Sequence, residues 1–311
     1  MPLSHPVPRP APSAVRRRHL LLFLLLPLAA AVLLLAGGAR GWLPWAAAPV
    51  AAAHAADSVG LAAYQVRIEA LPLAGLAADV SGLTYDPDRN SLFAITNKQP
   101  EIVELSLAGV VLRRIPLHGL ADPEAIEYVG RGHYVVTDER RQAIVEIRIA
   151  DDTRSIDASA SRQLAIGIGA NGNKGFEGLA YDRRGDRLFV AKEKDPVRIY
   201  EIGGFPALAG APVRPLTLAE RPVRDAALPV RDLSSLYWDE RGARLLVLSD
   251  DSKAVVEVDD DGQALDRLTL RSGHHGLAAD VPQAEGMAMD AAGKLYLVSE
   301  PNLFYVFERR D

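Results

Sequence analysis

The sequence predicts an all-β fold, a five-bladed β-propeller closed by an N-terminal strand and preceded by an N-terminal membrane segment. Three observations lead there. Short strand-like segments recur in five units, the last unit lacks a strand that the start of the domain can supply, and the first 56 residues differ in charge from the rest.

Residues 1–56 hold Arg9, Arg16, Arg17, Arg18 and Arg40 and no acidic residue. They carry +5 of a total of −5, which leaves −10 for residues 57–311. The arginines precede an apolar run of 17 residues, Leu20 to Ala36, that Gly37–Ala39 extend. Such a pattern marks an export signal or signal-anchor, with the arginines held on the cytoplasmic side. The run is longer than a secretory core of about 7–15 residues and reaches the ~17–25 of a spanning helix. The expected organisation is a basic cytoplasmic end at 1–19, a signal-anchor helix at 20–39, an Ala/Pro-rich linker at 40–62 and the propeller at 63–311. The alternative is a cleaved signal peptide, because Ala51-Ala52-Ala53-His54-Ala55-Ala56 offers small residues to a signal peptidase. The acidic domain then faces the periplasm or exterior, either held at the inner membrane by one span or free after cleavage.

Composition excludes several classes. With no cysteine there is no disulfide scaffold, thiolate zinc site or thiol nucleophile. The acidic balance speaks against a nucleic-acid partner, which needs a basic face. A hydrophobic content of 49% is ample for a core.

The units open at 81, 124, 177, 234 and 285, spaced 43, 53, 57 and 51 residues apart. A four-stranded propeller blade needs about 40–50. The first unit reads Ser81–Asp86, Ser91–Asn97, Glu101–Leu105 and Val110–Leu117, with turn residues between. The later ones begin at Glu124, Glu177, Ser234 and Glu285. The fifth has three strands before the chain ends. Tyr64–Leu73 resembles the fourth strand of the first unit and is expected to complete the fifth, closing the ring and removing an exposed sheet edge. The longer stretches 149–173 and 203–230 show no strand composition, so a sixth blade is not expected.

These residues carry a resemblance. Thr137-Asp138-Glu139-Arg140, Gly175-Phe176-Glu177-Gly178-Leu179-Ala180-Tyr181, Lys192-Glu193-Lys194-Asp195-Pro196, Gln283–Asp290 and Val298-Ser299-Glu300-Pro301-Asn302-Leu303-Phe304-Tyr305 are similar to the SdiA-regulated (YjiK-like) family over residues 63–309. The resemblance implies a five-bladed propeller distantly similar to NHL-repeat propellers, an N-terminal membrane segment and a calcium site. It implies no particular reaction.

Two columns of the repeat can carry chemistry. The first opens the innermost strand: Ser81, Glu124, Glu177, Ser234 and Glu285. Equivalent positions lie at one depth around a central channel, so three carboxylates converge, a crowding relieved by protonation or by a cation. Ca²⁺ takes about 6–8 oxygen ligands and suits such a ring. The alternative is that each glutamate pairs with an arginine, a lysine or turn amides. Glycine after Glu177 and Glu285 fits close backbone packing at the channel wall. The second column closes the second strand: Asn97, Asp138, Glu193, Asp250 and Glu300. Because the two strands are antiparallel, the columns meet at one end of the channel. Polar residues are also ordinary at strand ends.

Cations gather there too. Of six lysines, Lys98, Lys192, Lys194 and Lys253 fall within three residues of the second column, and Arg140 takes that place in the second unit. The expected ligand set is therefore Glu124, Glu177, Glu285, Asp138, Glu193, Asp250 and Glu300 for the metal, with Asn97, Lys98, Arg140, Lys194 and Ser234 around an anionic ligand. Other motifs are structural. Asp259-Asp260-Asp261-Gly262 reads as a hairpin turn and His274-His275 as a solvated loop. The expected function is a membrane-anchored, calcium-binding module for an anionic small molecule or an envelope protein. The alternative is a metal-dependent hydrolase of the lactonase or phosphoesterase kind at the channel mouth, with Glu193, Asp138 or Glu300 as base.

Overall fold

The computed structural model describes residues 58–76, 79–169, 174–207 and 214–310. The basic end, the apolar segment and the linker through residue 57 lie outside the described residues. Among the described residues no helix is long and apolar enough to cross a membrane.

A short 3₁₀ turn, Leu61–Ala63, leads into β1 (Tyr64–Pro72). Blade one follows with β2 (Val80–Asp86), β3 (Ser91–Thr96), β4 (Glu101–Leu105) and β5 (Val111–His118). Blade two is β6 (Ile126–Gly130), β7 (His133–Asp138) and β8 (Ala143–Arg148), after which come β9 (Ile156–Asp157) and β10 (Gln163–Ala165). Blade three is β11 (Phe176–Asp182), β12 (Arg187–Lys192), β13 (Arg198–Gly203) and β14 (Thr217–Glu220), followed by the helix α1 (Pro222–Ala227). Blade four is β15 (Ser235–Asp239), β16 (Arg244–Ser249), β17 (Ala254–Val258) and β18 (Ala264–Thr269). Blade five is β19 (Gln283–Met289), β20 (Leu295–Glu300) and β21 (Leu303–Arg309), with β1 as its outer strand.

The predicted closure is present. β1 runs antiparallel to β21, with Tyr64 opposite Arg309, Val66 opposite Phe307 and Leu71 opposite Phe304. The Tyr64 hydroxyl donates to the Gly293 carbonyl at 2.6 Å, and the Val66 amide donates to His275 at 2.8 Å. His274-His275 is thus tied to the closing strand, through a second contact from His275 Nδ1 to the Tyr64 carbonyl as well.

Each seam between neighbouring blades is a separate apolar cluster, so the five seams together are the core. β3 shows how one strand serves two seams: Leu92 and Ala94 pack toward blade five, Phe93 and Ile95 toward blade two. A strand buried on both faces reads as a continuous apolar run rather than an alternating one.

The segments read as strand-free do hold strands. β10 pairs with β8 and β14 with β13, each supplying a fourth strand, while β9 crosses to pair in parallel with β5 of blade one. The blade count stays at five. These strands are two to four residues long, and all of β14 is exposed, so no period shows in their sequence. The domain also starts earlier than residue 63. Ser58 Oγ and the Val59 amide donate to Glu257 at 2.6 and 3.1 Å, and Leu61 is fully buried. As expected, Asp259–Gly262 is a turn, with Asp259 Oδ1 accepting from the Asp261 and Gln263 amides.

Leu61 holds the closing segment in the seam between blades four and five. Leu61→Ala is expected to lower unfolding free energy by about 2–5 kcal/mol, read from denaturant melts. Deleting residues 58–72 should abolish cooperative unfolding and leave an aggregating chain, because β21 then becomes an unprotected edge.

Candidate metal centre at the channel mouth

The register of the inner strands explains how polar side chains reach the channel. In β2, β11 and β19 the pairing slips between Val80 and Gly82, Phe176 and Gly178, and Ala284 and Gly286. Ser81, Glu177 and Glu285 are the unpaired residues of these bulges. A bulge bends its strand and re-aims the extra side chain. The next residue is glycine each time because the inner strands of neighbouring blades approach closely. A Cβ on Gly82 would lie 2.7 Å from the Glu124 carbonyl oxygen, and one on Gly286 would lie 2.7 Å from the Leu83 amide nitrogen.

At this end of the channel lies a cavity of about 210 Å³, lined by all five first-column residues and by Asn97, Glu193, Asp250 and Glu300 of the second. Asp138 is the exception. It is fully buried, and its carboxylate accepts from the Ala121 amide at 2.9 Å and the Arg141 amide at 3.2 Å. The reason is a one-residue slip in reading the repeat. Ile126 pairs with Val136 as Leu83 pairs with Ala94, so Asp138 corresponds to Thr96, and Glu139 corresponds to Asn97. One step along a strand turns a side chain to the other face. Asp138 therefore leaves the proposed ligand set and the list of bases, and Glu139 enters.

A third column escaped the sequence reading: Asp79, Asp122, Gly175, Asp232 and Gln283, each two residues before a first-column residue. Its signal was that spacing, hidden because all but Gln283, which opens β19, fall in the loops ahead of the strands. Asp232 and Gln283 line the cavity. Asp122, Glu124 and Glu139 offer oxygens that all lie within 4.8 Å of one another. The glutamates at 124, 177 and 285 share the cavity but are not drawn together to that degree.

The cations are mostly spent on these acids. Lys98 pairs with Asp79, Arg140 with Asp122 at 3.0 Å, Lys253 with Asp250 at 2.6 Å, and Lys194 with Glu193 at 2.6 Å. Of the expected cations, Lys194 lines the cavity, whereas Lys98 and Arg140 sit outside it. Ser234 Oγ accepts from the Asp250 amide at 3.3 Å, which couples the two columns within blade four.

Three glutamates remain without cationic partners, and their acidity shows it. Burial pushes the Glu124 carboxyl up to about 7, with Asp122 and Glu139 adding to the rise and hydrogen bonds from Asn97 and Ser81 opposing it. Burial, with Asp250, Glu300 and Glu124 nearby, lifts Glu285 to about 8 against a hydrogen bond from Gln283. Glu177 is held well above the carboxylate range, first by burial and then by Glu124, Glu139, Glu285 and Glu193. It accepts no hydrogen bond from a described residue. Asn97 donates through Nδ2 to Glu124 at 2.8 Å, but its Oδ1 is buried with no partner. Converging carboxylates plus an unsatisfied amide oxygen are hard donors, and the set fits a cation of the calcium type.

A family model described as SdiA-regulated matches residues 56–308. The chain is similar to a chain of a nidogen/laminin complex at 14% identity and TM-score 0.47, covering 76% of this chain and 85% of that one. It is similar to a luciferin-regenerating enzyme at 12% identity and TM-score 0.48, covering 77% and 94%. It is also similar to regucalcin from Agrobacterium tumefaciens, a calcium-binding protein, at 11% identity and TM-score 0.46, covering 76% and 92%.

The raised carboxyls set a pH dependence. A carboxyl that titrates near 7 or 8 when folded but at about 4.3 when unfolded favours the folded state most at low pH, and that contribution is lost as pH rises through the folded value. With a chelator present, Tm should fall between about pH 5 and 8.5, and Glu285→Gln should make the fall shallower. Scanning calorimetry across that range checks this, and a flat or rising profile contradicts it.

Proposed function

We propose that this chain, which belongs to the SdiA-regulated family, is a Ca²⁺-binding propeller whose acidic channel mouth serves as a binding surface for an anionic small molecule or another protein of the cell envelope. The observation that carries the reading is the trio Glu124, Glu177 and Glu285. They come from three blades, are lifted out of the ordinary carboxylate range and share one cavity. Glu124, Glu139 and Asp122, with Asn97 Oδ1 beside them, would hold the ion. Glu177 and Glu285 complete the negative field, and Lys194, although paired with Glu193, is the one expected cation that lines the cavity. A bound divalent cation supplies the positive charge that keeps these carboxylates ionised and a centre that attracts an anionic ligand.

The arginines and apolar run of residues 9–36 support a place at the inner membrane, with the propeller on the periplasmic side. The net charge of −10 over residues 57–311 makes a cation-poor partner at this mouth unfavourable without the metal in between.

The test is a thermal melt of the purified protein at pH 7.5 with Ca²⁺, with Mg²⁺ and with chelator. Ca²⁺ at about 100 times its Kd should add roughly 2.7 kcal/mol of stability. The double variant Glu124→Gln, Glu139→Gln should lose this calcium shift and, without metal, melt higher than the parent. A parent protein indifferent to millimolar Ca²⁺, or a double variant that keeps the full shift, rejects the reading.

A further inference from the structure

The opposite end of the same channel carries a second cavity, of about 180 Å³, to which all five blades contribute. Its chemistry differs from that of the acidic mouth. Three carboxylates, Glu127, Glu240 and Asp290, and one guanidinium, Arg183, line it. Glu240 pairs with Arg184 at 3.6 Å and accepts from the Arg183 amide, and Asp290 accepts from the Tyr296 hydroxyl and from the Ala292 and Lys294 amides, so both are already engaged. Glu127 accepts from Thr84 Oγ1 at 2.8 Å and makes no ion pair among the described residues. The Arg183 guanidinium lies over the Tyr128 ring, 4.8 Å from its centroid, and likewise has no carboxylate partner among them. Glu127 and Arg183 carry opposite charges in one small cavity without forming an ion pair with each other, and together they are complementary to a ligand that carries both charges.

Two further donors lack acceptors. Tyr85 and Tyr181 spend their hydroxyls on Asn90 and Asp186, whereas the Tyr237 hydroxyl has no hydrogen-bond partner among the described residues. Trp238 Nε1 is buried without a partner, in a side chain that also lines the cavity. An unsatisfied buried donor is costly and marks a place for an acceptor. Apolar side chains, Met287 and Met289 among them, make up another part of the wall.

We propose that this cavity binds a small zwitterion, an α-amino acid with an apolar side chain, with its ammonium at Glu127 and its carboxylate at Arg183 and Tyr237. The site is separate from the acidic mouth and needs no metal. Burial lifts Glu127 to about 7 against the opposing pull of the Thr84 hydrogen bond and of Arg183, and a bound ammonium would bring it further down.

Isothermal titration of the purified protein at pH 8 with L-valine, L-leucine and L-methionine tests this. At least one should bind saturably, and for that one the matching amide, which lacks the negative charge, and the matching fatty acid, which lacks the positive one, should each bind about tenfold or more weakly. Glu127→Gln and Arg183→Met should each weaken binding by a similar factor. Tyr237→Phe, which removes only a hydroxyl and keeps the ring, should weaken it several-fold without lowering Tm. No saturable binding of any of the three by about 10 mM overturns the proposal. So does an amide or fatty acid that binds as tightly as the amino acid, or binding that survives Tyr237→Phe and Arg183→Met unchanged.

Discussion

The ring must close, and it must close tightly at its centre. Five blades share five apolar seams, and no blade can bury both its faces unless it has a neighbour on each side. The antiparallel pairing of β1 with β21 makes the first and last segments of the domain one sheet, so that blade five can seal against blades four and one. The fold depends on this contact between distant parts of the chain. It also explains why Ser58–Leu61 pack against blade four rather than trail as linker.

Closure creates an electrostatic problem at one channel mouth. The bulges at Ser81, Glu177 and Glu285, and the glycines that follow, let the inner strands approach, and the approach crowds carboxylates from several blades around one small volume. Apolar seams tolerate this because they supply the stability that the crowded charges remove. The rim lysines relieve Asp79, Glu193 and Asp250 but leave the glutamates at 124, 177 and 285 unpaired. The far end of the channel is built differently, with aromatic and thioether side chains beside one guanidinium, Arg183, and a carboxylate, Glu127, that makes no ion pair among the described residues. One closed ring thus presents two chemically distinct ends.

Much of the site was legible in the repeat. The first column stands where the spacing puts it, and four of the five second-column residues reach the same cavity. The fifth did not, because Asp138 and Glu139 are adjacent and both acidic. Choosing between them requires the strand register, which the pairing of Ile126 with Val136 settles. The column holding Asp122 and Asp232 escaped because, apart from Gln283 at the start of β19, it lies in loops, where no strand period marks it. The Glu127–Arg183 cavity was invisible because those residues come from different blades and belong to no common column.

By itself, the sequence determined the class of the fold, the number of blades, the closing strand and the acidic character of one channel end. Each of these follows from local period and from repetition, which are written along the chain. The tertiary structure alone decided which face each strand-end residue takes, which carboxylates meet and which charges stay unpaired. Those outcomes depend on bulges, on register and on how closely neighbouring blades pack, and such distances arise between segments far apart in sequence, where no local pattern records them.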